Sequence, residues 1–174
     1  LNPGGGDITV GAGGINTSTG GITLNAGTTG VITVNTIINF TGTGNLSITT
    51  DTDLSLNIAN ALSGAGGTLT ISQFTANKII GIGAGQTGDI RISAAEYAMI
   101  KDGWGNRVFG RVDGTGGINI AATTWTDSVT LRSSSGVIAL NGAQSFAGNS
   151  LTVTTDADMV VGGQLTGTGT LTIA

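Results

Sequence analysis

Apolar and polar residues alternate along this chain in short bursts, and a glycine opens most of them. Gly6-Asp7-Ile8-Thr9-Val10, Gly30-Val31-Ile32-Thr33-Val34, Gly67-Thr68-Leu69-Thr70-Ile71 and Gly169-Thr170-Leu171-Thr172-Ile173 share the form. A period of two is that of a strand with one buried face. The bursts recur at a nearly constant step, from Leu46 to Leu69, Leu69 to Ile90, Val129 to Leu151 and Leu151 to Leu171. Steps of this size mark one coil of a solenoid. The Leu/Asn signature of a leucine-rich repeat does not recur. The pattern therefore predicts an all-β parallel β-helix (β-solenoid) with about 20–23 residues per coil. Ile, Val and Leu would stack inward, Thr would face outward where β-branching fits a pleated surface, and glycine would turn the corners.

A longer period overlies the short one. Leu46-Ser-Ile-Thr-Thr-Asp-Thr-Asp-Leu54 matches Leu151-Thr-Val-Thr-Thr-Asp-Ala-Asp-Met159 at an offset of 105. Gly30-Val31-Ile32 with Phe40 matches Gly136-Val137-Ile138 with Phe146 at 106, and Gly13-Gly14-Ile15-Asn16 matches Gly116-Gly117-Ile118-Asn119 at 103. Leu62–Ile71 matches Leu165–Ile173 with one deletion. Residues 1–72 thus read as a partial copy of a repeat of about 105 residues and 73–174 as a complete unit, in one continuous solenoid. Leu1 in place of Met, and an end inside the Leu171–Ile173 strand pattern, lead to the expectation of a segment from a longer tandem array.

One segment breaks the monotony. Residues 73–115 hold Lys78, Asp89, Arg91, Glu96, Lys101, Asp102, Arg107, Arg111 and Asp113, nine of the sixteen charges, together with Tyr97, Trp104 and Phe109. Ala94–Lys101 is rich in helix formers, with Ser93 as N-cap and Gly103 beyond its end, which predicts one short helix within 93–102. Such a segment would loop out of, or across, the solenoid wall. Tyr97, Trp104, Arg107 and Arg111 are then contact candidates, since aromatics beside Arg are common at interfaces. The competing reading has Trp104 and Phe109 pinning the helix to the wall.

Composition narrows the chemistry. With no Cys and no His there is no disulfide, thiolate nucleophile, Cys/His zinc site or Ser-His-Asp triad. A net charge of −4 with six basic residues argues against nucleic acid. No run is apolar and long enough to suggest membrane insertion. Asp51/Asp53 and Asp156/Asp158 form a repeated Asp-x-Asp pair, the nearest approach to a calcium site. One pair supplies two oxygen donors, short of a hard cation's needs, so they are read as exposed turn carboxylates and no metal or other cofactor is assigned. A lyase or hydrolase groove would need a carboxylate cluster with a base, and the charges of 89–113 are too few; no enzyme activity is expected. Thr-x-Thr pairs are frequent, but they fall at different places in the coils, which disfavours an ice-binding plane.

Glu96–Gly116 is also recognisable. Asp102-Gly103-Trp104 leads into a strand and then Gly110-Arg111-Val112-Asp113-Gly114-Thr115-Gly116, with Trp125–Gly136 as the following coil. This resembles a repeat signature of very large bacterial surface proteins, cyanobacterial ones included, described as filamentous-haemagglutinin-like. The resemblance covers roughly residues 90–140. It implies a right-handed parallel β-helix, an extracellular location and a structural or adhesive role without catalytic residues. The expected partners are neighbouring repeats or other copies, end to end or laterally, and surface glycans. The alternative functions are a self-assembling subunit of an extracellular filament or sheath, and an ice- or glycan-binding solenoid.

Overall fold

The alternating segments form a parallel β-solenoid, seen in a computed structural model that describes residues 1–2 and 4–174. Each regular turn has three strands, one per face. The first turn is β1 (Ile8–Val10), β2 (Ile15–Thr17) and β3 (Ile22–Gly27). The second is β4 (Ile32–Val34), β5 (Ile38–Phe40) and β6 (Leu46–Thr50), and the third is β7 (Leu54–Leu56), β8 (Leu62–Ser63) and β9 (Thr68–Ser72). The fourth is irregular and contains β10 (Ile80–Ile82), β11 (Ile90–Ile92), a helix α1 (Ala94–Ala98) and β12 (Asn106–Gly110). Regular turns resume with β13 (Ile118–Ile120), β14 (Thr123–Thr124) and β15 (Val129–Arg132). They continue with β16 (Ile138–Leu140), β17 (Gln144–Ser145) and β18 (Leu151–Thr154), then β19 (Met159–Val161), β20 (Leu165–Thr166) and β21 (Leu171–Ile173).

The third face is one unbroken sheet in the order β3-β6-β9-β12-β15-β18-β21. Parallel register stacks its inward side chains in two columns. One runs Ile22, Leu46, Leu69, Arg107, Val129, Leu151, Leu171; the other runs Leu24, Ile48, Ile71, Phe109, Leu131, Val153, Ile173. Leu46, Ile48, Leu69, Ile71 and Leu131 are wholly buried. Each such aliphatic contributes roughly 1.5–3 kcal/mol. The alternation fixes which residues enter these columns, because a slip of one residue would turn every Thr inward.

Stacked strands in the regular turns keep the coil step read from the sequence, as from Ile32 to Leu54, Val129 to Leu151 and Leu151 to Leu171. The fourth turn is longer: Leu69 stacks on Arg107, well beyond one regular step. The predicted stacking of Leu69 on Ile90 is therefore corrected. Ile90 pairs with Ile80 on the first face, and β11 lies beside β10 in parallel. The first face is split into β1-β4-β7 and β11-β10-β13-β16-β19. In space β11 sits between β7 and β10, so this face holds eight strands where the third holds seven. Among the described residues no backbone hydrogen bond joins β7 to β11. The seam is closed by Asp53, whose carboxylate accepts from the Arg91 backbone N–H at 3.2 Å and from its guanidinium at 2.5 Å.

The second face holds β2-β5-β8 and β14-β17-β20. Between them Ile100 bridges to Leu62, and the Lys101 N–H donates to the Leu62 carbonyl at 2.9 Å. The helix that precedes this bridge, Ala94–Ala98, lies within the predicted 93–102. Ser93 caps it as expected: its hydroxyl accepts from the Glu96 N–H, and the Glu96 carboxylate accepts from the Ser93 N–H. The helix ends at Ala98 because Ile100 is drawn into the wall and Gly103 then turns the chain at φ +114°.

The long repeat is visible in space. Leu46–Leu54 and Leu151–Met159 form the same corner, from β6 to β7 and from β18 to β19. The third match does not hold spatially. Ile15 lies in β2 on the second face and Ile118 in β13 on the first, so Gly13–Asn16 and Gly116–Asn119 are similar turns at different corners.

Candidate functional site

The sequence-derived contact candidates all fall in the fourth turn, and the structure turns two of them inward. Arg107 takes a column position between Leu69 and Val129, where every other rung is aliphatic, and is 1% exposed. A charge there is tolerable only if its donors are met. The Asp127 carboxylate lies 2.6 Å from the guanidinium and is itself buried. The remaining donors reach the Tyr97 hydroxyl at 2.9 Å, the Thr126 hydroxyl at 3.2 Å and the Lys101 carbonyl at 3.3 Å. Asp127 also accepts from the Gly103 N–H at 2.9 Å. The cluster thus ties the loop after α1 to the fifth turn on the second face, where that face lacks a continuous ladder.

Trp104 is 3% exposed and packs edge-on against Phe40, with ring centroids 5.6 Å apart. It is the anchor, and not an exposed contact. Its indole lies directly on Gly64, where any Cβ would collide with the ring. Tyr97 is half-buried and meets Trp125 edge-on at 5.4 Å, and Trp125 stacks on Phe146 at 6.2 Å. Burial pushes the Tyr97 phenol up to about 12, opposed in part by the adjacent Arg107 guanidinium. Arg111 stays at the surface, paired with Asp113 at 2.5 Å and donating to the Phe74 carbonyl. Segment 89–113 therefore does not protrude as a whole. Its two strands are built into the wall, and Lys101–Gly103 and Arg111–Asp113 mark its open side.

The Asp-x-Asp pairs behave unequally. Asp51 departs from the expected exposed turn: it is buried, its carboxylate accepting from the Thr75 N–H at 2.7 Å and from the Thr75 hydroxyl. Thr75 comes from the following turn, so the solenoid itself supplies the donors. Hydrogen bonding to Arg91 holds the Asp53 carboxyl below its ordinary range. Asp156 and Asp158 are exposed in the last turn. Among the described residues no three His, Cys, Asp or Glu side chains converge. The sequence reading missed Asp127 and Trp125 as partners. The signal was present: Arg107 and Asp127 are separated by one coil step.

The outer faces carry short polar side chains. Asn39 donates to Asn16 at 3.2 Å and Asn57 to Asn35 at 2.9 Å, one turn apart in each case. The helix α1 has five residues, and no helix among the described residues is long and apolar enough to cross a membrane. No protein-family model, curated protein or solved structure matches the chain. The class stands on the fold: a tandem-repeat parallel β-solenoid.

Proposed function

We propose that this chain is a structural repeat module of a large extracellular bacterial fibre or adhesin, of the filamentous-haemagglutinin-like kind, and that it has no catalytic role. The observation that carries this reading is the unbroken inner column of the third face under outer surfaces of Thr, Ser and Asn. A rod of this kind gains length and stiffness turn by turn, and the outer chemistry of its regular turns is much the same from one to the next. The burial of Arg107, Asp127 and Trp104 supports it too, because the most distinctive residues hold the wall together. Weak contacts repeated along such a rod add through avidity. Its partners on this reading are neighbouring repeats and surface glycans.

The self-assembling filament subunit is the second reading, favoured by the continuous parallel sheet of the third face, a ladder that identical copies could extend end to end. Immunolabelling of intact producing cells tests the first. Antibodies against the folded chain should label unpermeabilised cells, and excess soluble chain should reduce their attachment to a surface. Labelling that requires permeabilisation would overturn the surface reading.

A further inference from the structure

The last turn holds an open apolar pocket of about 150 Å³ lined by Phe146, Leu151, Leu165, Gly167 and Leu171. Its lining has an internal counterpart. Phe40 stands two residues beyond Ile38, which pairs with Leu62; Gly64 stands two beyond Leu62. Phe146 stands two beyond Gln144, which pairs with Leu165; Gly167 stands two beyond Leu165. Leu46 stacks on Leu69 as Leu151 stacks on Leu171. The two sets therefore occupy equivalent positions in two copies of the repeat, with Gly167 at φ +150° where Gly64 has an ordinary φ. In the first copy the position is occupied: Trp104 lies on Gly64 against Phe40. In both copies a glycine follows the β8-type strand where an aromatic stands one turn earlier, which leaves room for a ring from the next turn.

We infer that the pocket at Phe146 and Gly167 is a tryptophan socket. Its occupant is the counterpart of Trp104, presented by an Asp-Gly-Trp-Gly turn like Asp102–Gly105 from an adjoining repeat. This goes beyond the proposed function and does not depend on the chain's cellular location. The socket specifies which segment seats on this end and in what register, because the indole fits only where the glycine is. An edge strand alone would accept many partners.

The experiment extends the whole chain by appending a second copy of residues 73–116 after Ala174. Ile173 corresponds to Ile71, so the appended segment enters at the matching position. Trp104 and Trp125 are buried already, and the appended segment brings one new indole, which is excited selectively at the red edge of the tryptophan band apart from the second Tyr97 copy. The new indole should be protected from acrylamide quenching, and the melting temperature of the extended chain should exceed that of the parent. Leu165→Glu places a carboxylate in the socket at a half-buried position that the parent chain can tolerate. In the extended chain this variant should expose the appended indole and abolish the gain in melting temperature. An appended Trp that quenches as freely as a free indole overturns the inference. So does protection that survives Leu165→Glu in a chain whose parent form still folds, since the ring would then be buried elsewhere.

Discussion

At the scale of single residues, the fourth turn shows how a solenoid accommodates polar chemistry in its core. Arg107 replaces an aliphatic rung with a partner for each guanidinium nitrogen, and the partners come from three places: Asp127 and Thr126 from the next turn, Tyr97 from the helix and Lys101 from the loop. Tyr97 reports on that environment directly, because it is the only tyrosine. Its phenol titrates at about 12 in the folded chain against the ordinary value of 10.0. A folded value raised above the unfolded one means that the stabilisation is fully present below pH 10 and is lost as pH rises from 10 towards 12. An ultraviolet titration of the phenolate band should show its midpoint displaced upward, together with falling stability across that window. A midpoint at the ordinary tyrosine value would mean that the ring is solvated and the cluster is open. At the acid end the sign reverses. The Asp53 and Asp89 carboxyls lie below 3.8 in the fold, Asp53 through Arg91 and Asp89 through the Ile79 N–H and Lys78, so their contribution is present above that pH and fades below it.

At the scale of elements, the strands were legible because alternation, glycine spacing and the coil step all report the same inward face. The helix start was legible through Ser93. The extra strand was not. β11 reads as an ordinary Ile-x-Ile strand while β10 does not stand out from the sequence, and the step from Leu69 to Ile90 is a good coil length by coincidence. The true partner of Leu69 is Arg107, a residue type that local pattern assigns to the surface. Only tertiary pairing with Asp127, one coil later, makes it an inner residue. The burial of Trp104 was legible as an alternative but undecidable locally, since its partner Gly64 lies far back in the chain and has no side chain to signal a contact. That pairing predicts a coupled pair of substitutions. Gly64→Ala should destabilise by about 1–3 kcal/mol through overpacking. Trp104→Ala should cost about 3–5 kcal/mol through cavity formation. In the double variant the glycine penalty should vanish, because the added methyl no longer meets a ring, and denaturant unfolding should show a cost below the sum of the two. Strict additivity would place the indole away from Gly64.

At the scale of the whole molecule, the extra strand has a mechanical consequence. From β4 to β13 the first face climbs four strand intervals, through β7, β11 and β10. From β6 to β15 the third face climbs three, through β9 and β12. At about 4.8 Å per interval the first face is longer by one strand over the same turns, and walls about 10 Å apart turn that excess into a bend of roughly 25° towards the third face. Such a bend would fall where the first face has its seam, with the unbroken sheet on the inside and the side-chain joint between Asp53 and Arg91 on the outside. The chain has no cysteine, which allows paired spin labels at introduced cysteines. Thr33 and Asn119 face outward on β4 and β13, and Ser47 and Thr130 face outward on β6 and β15. The first pair should lie about 5 Å farther apart than the second. Deleting residues 80–89 joins Ile79 to Ile90 and removes one strand without changing register, since Ile80 and Ile90 occupy matching positions. The two label distances should then converge. Equal distances in the intact chain, or a difference that persists after the deletion, would show that the extra strand is absorbed without bending. With the bend, each further copy of the repeat would add another at the same phase, and a rod built from such copies would curve in steps set by one short insertion per repeat.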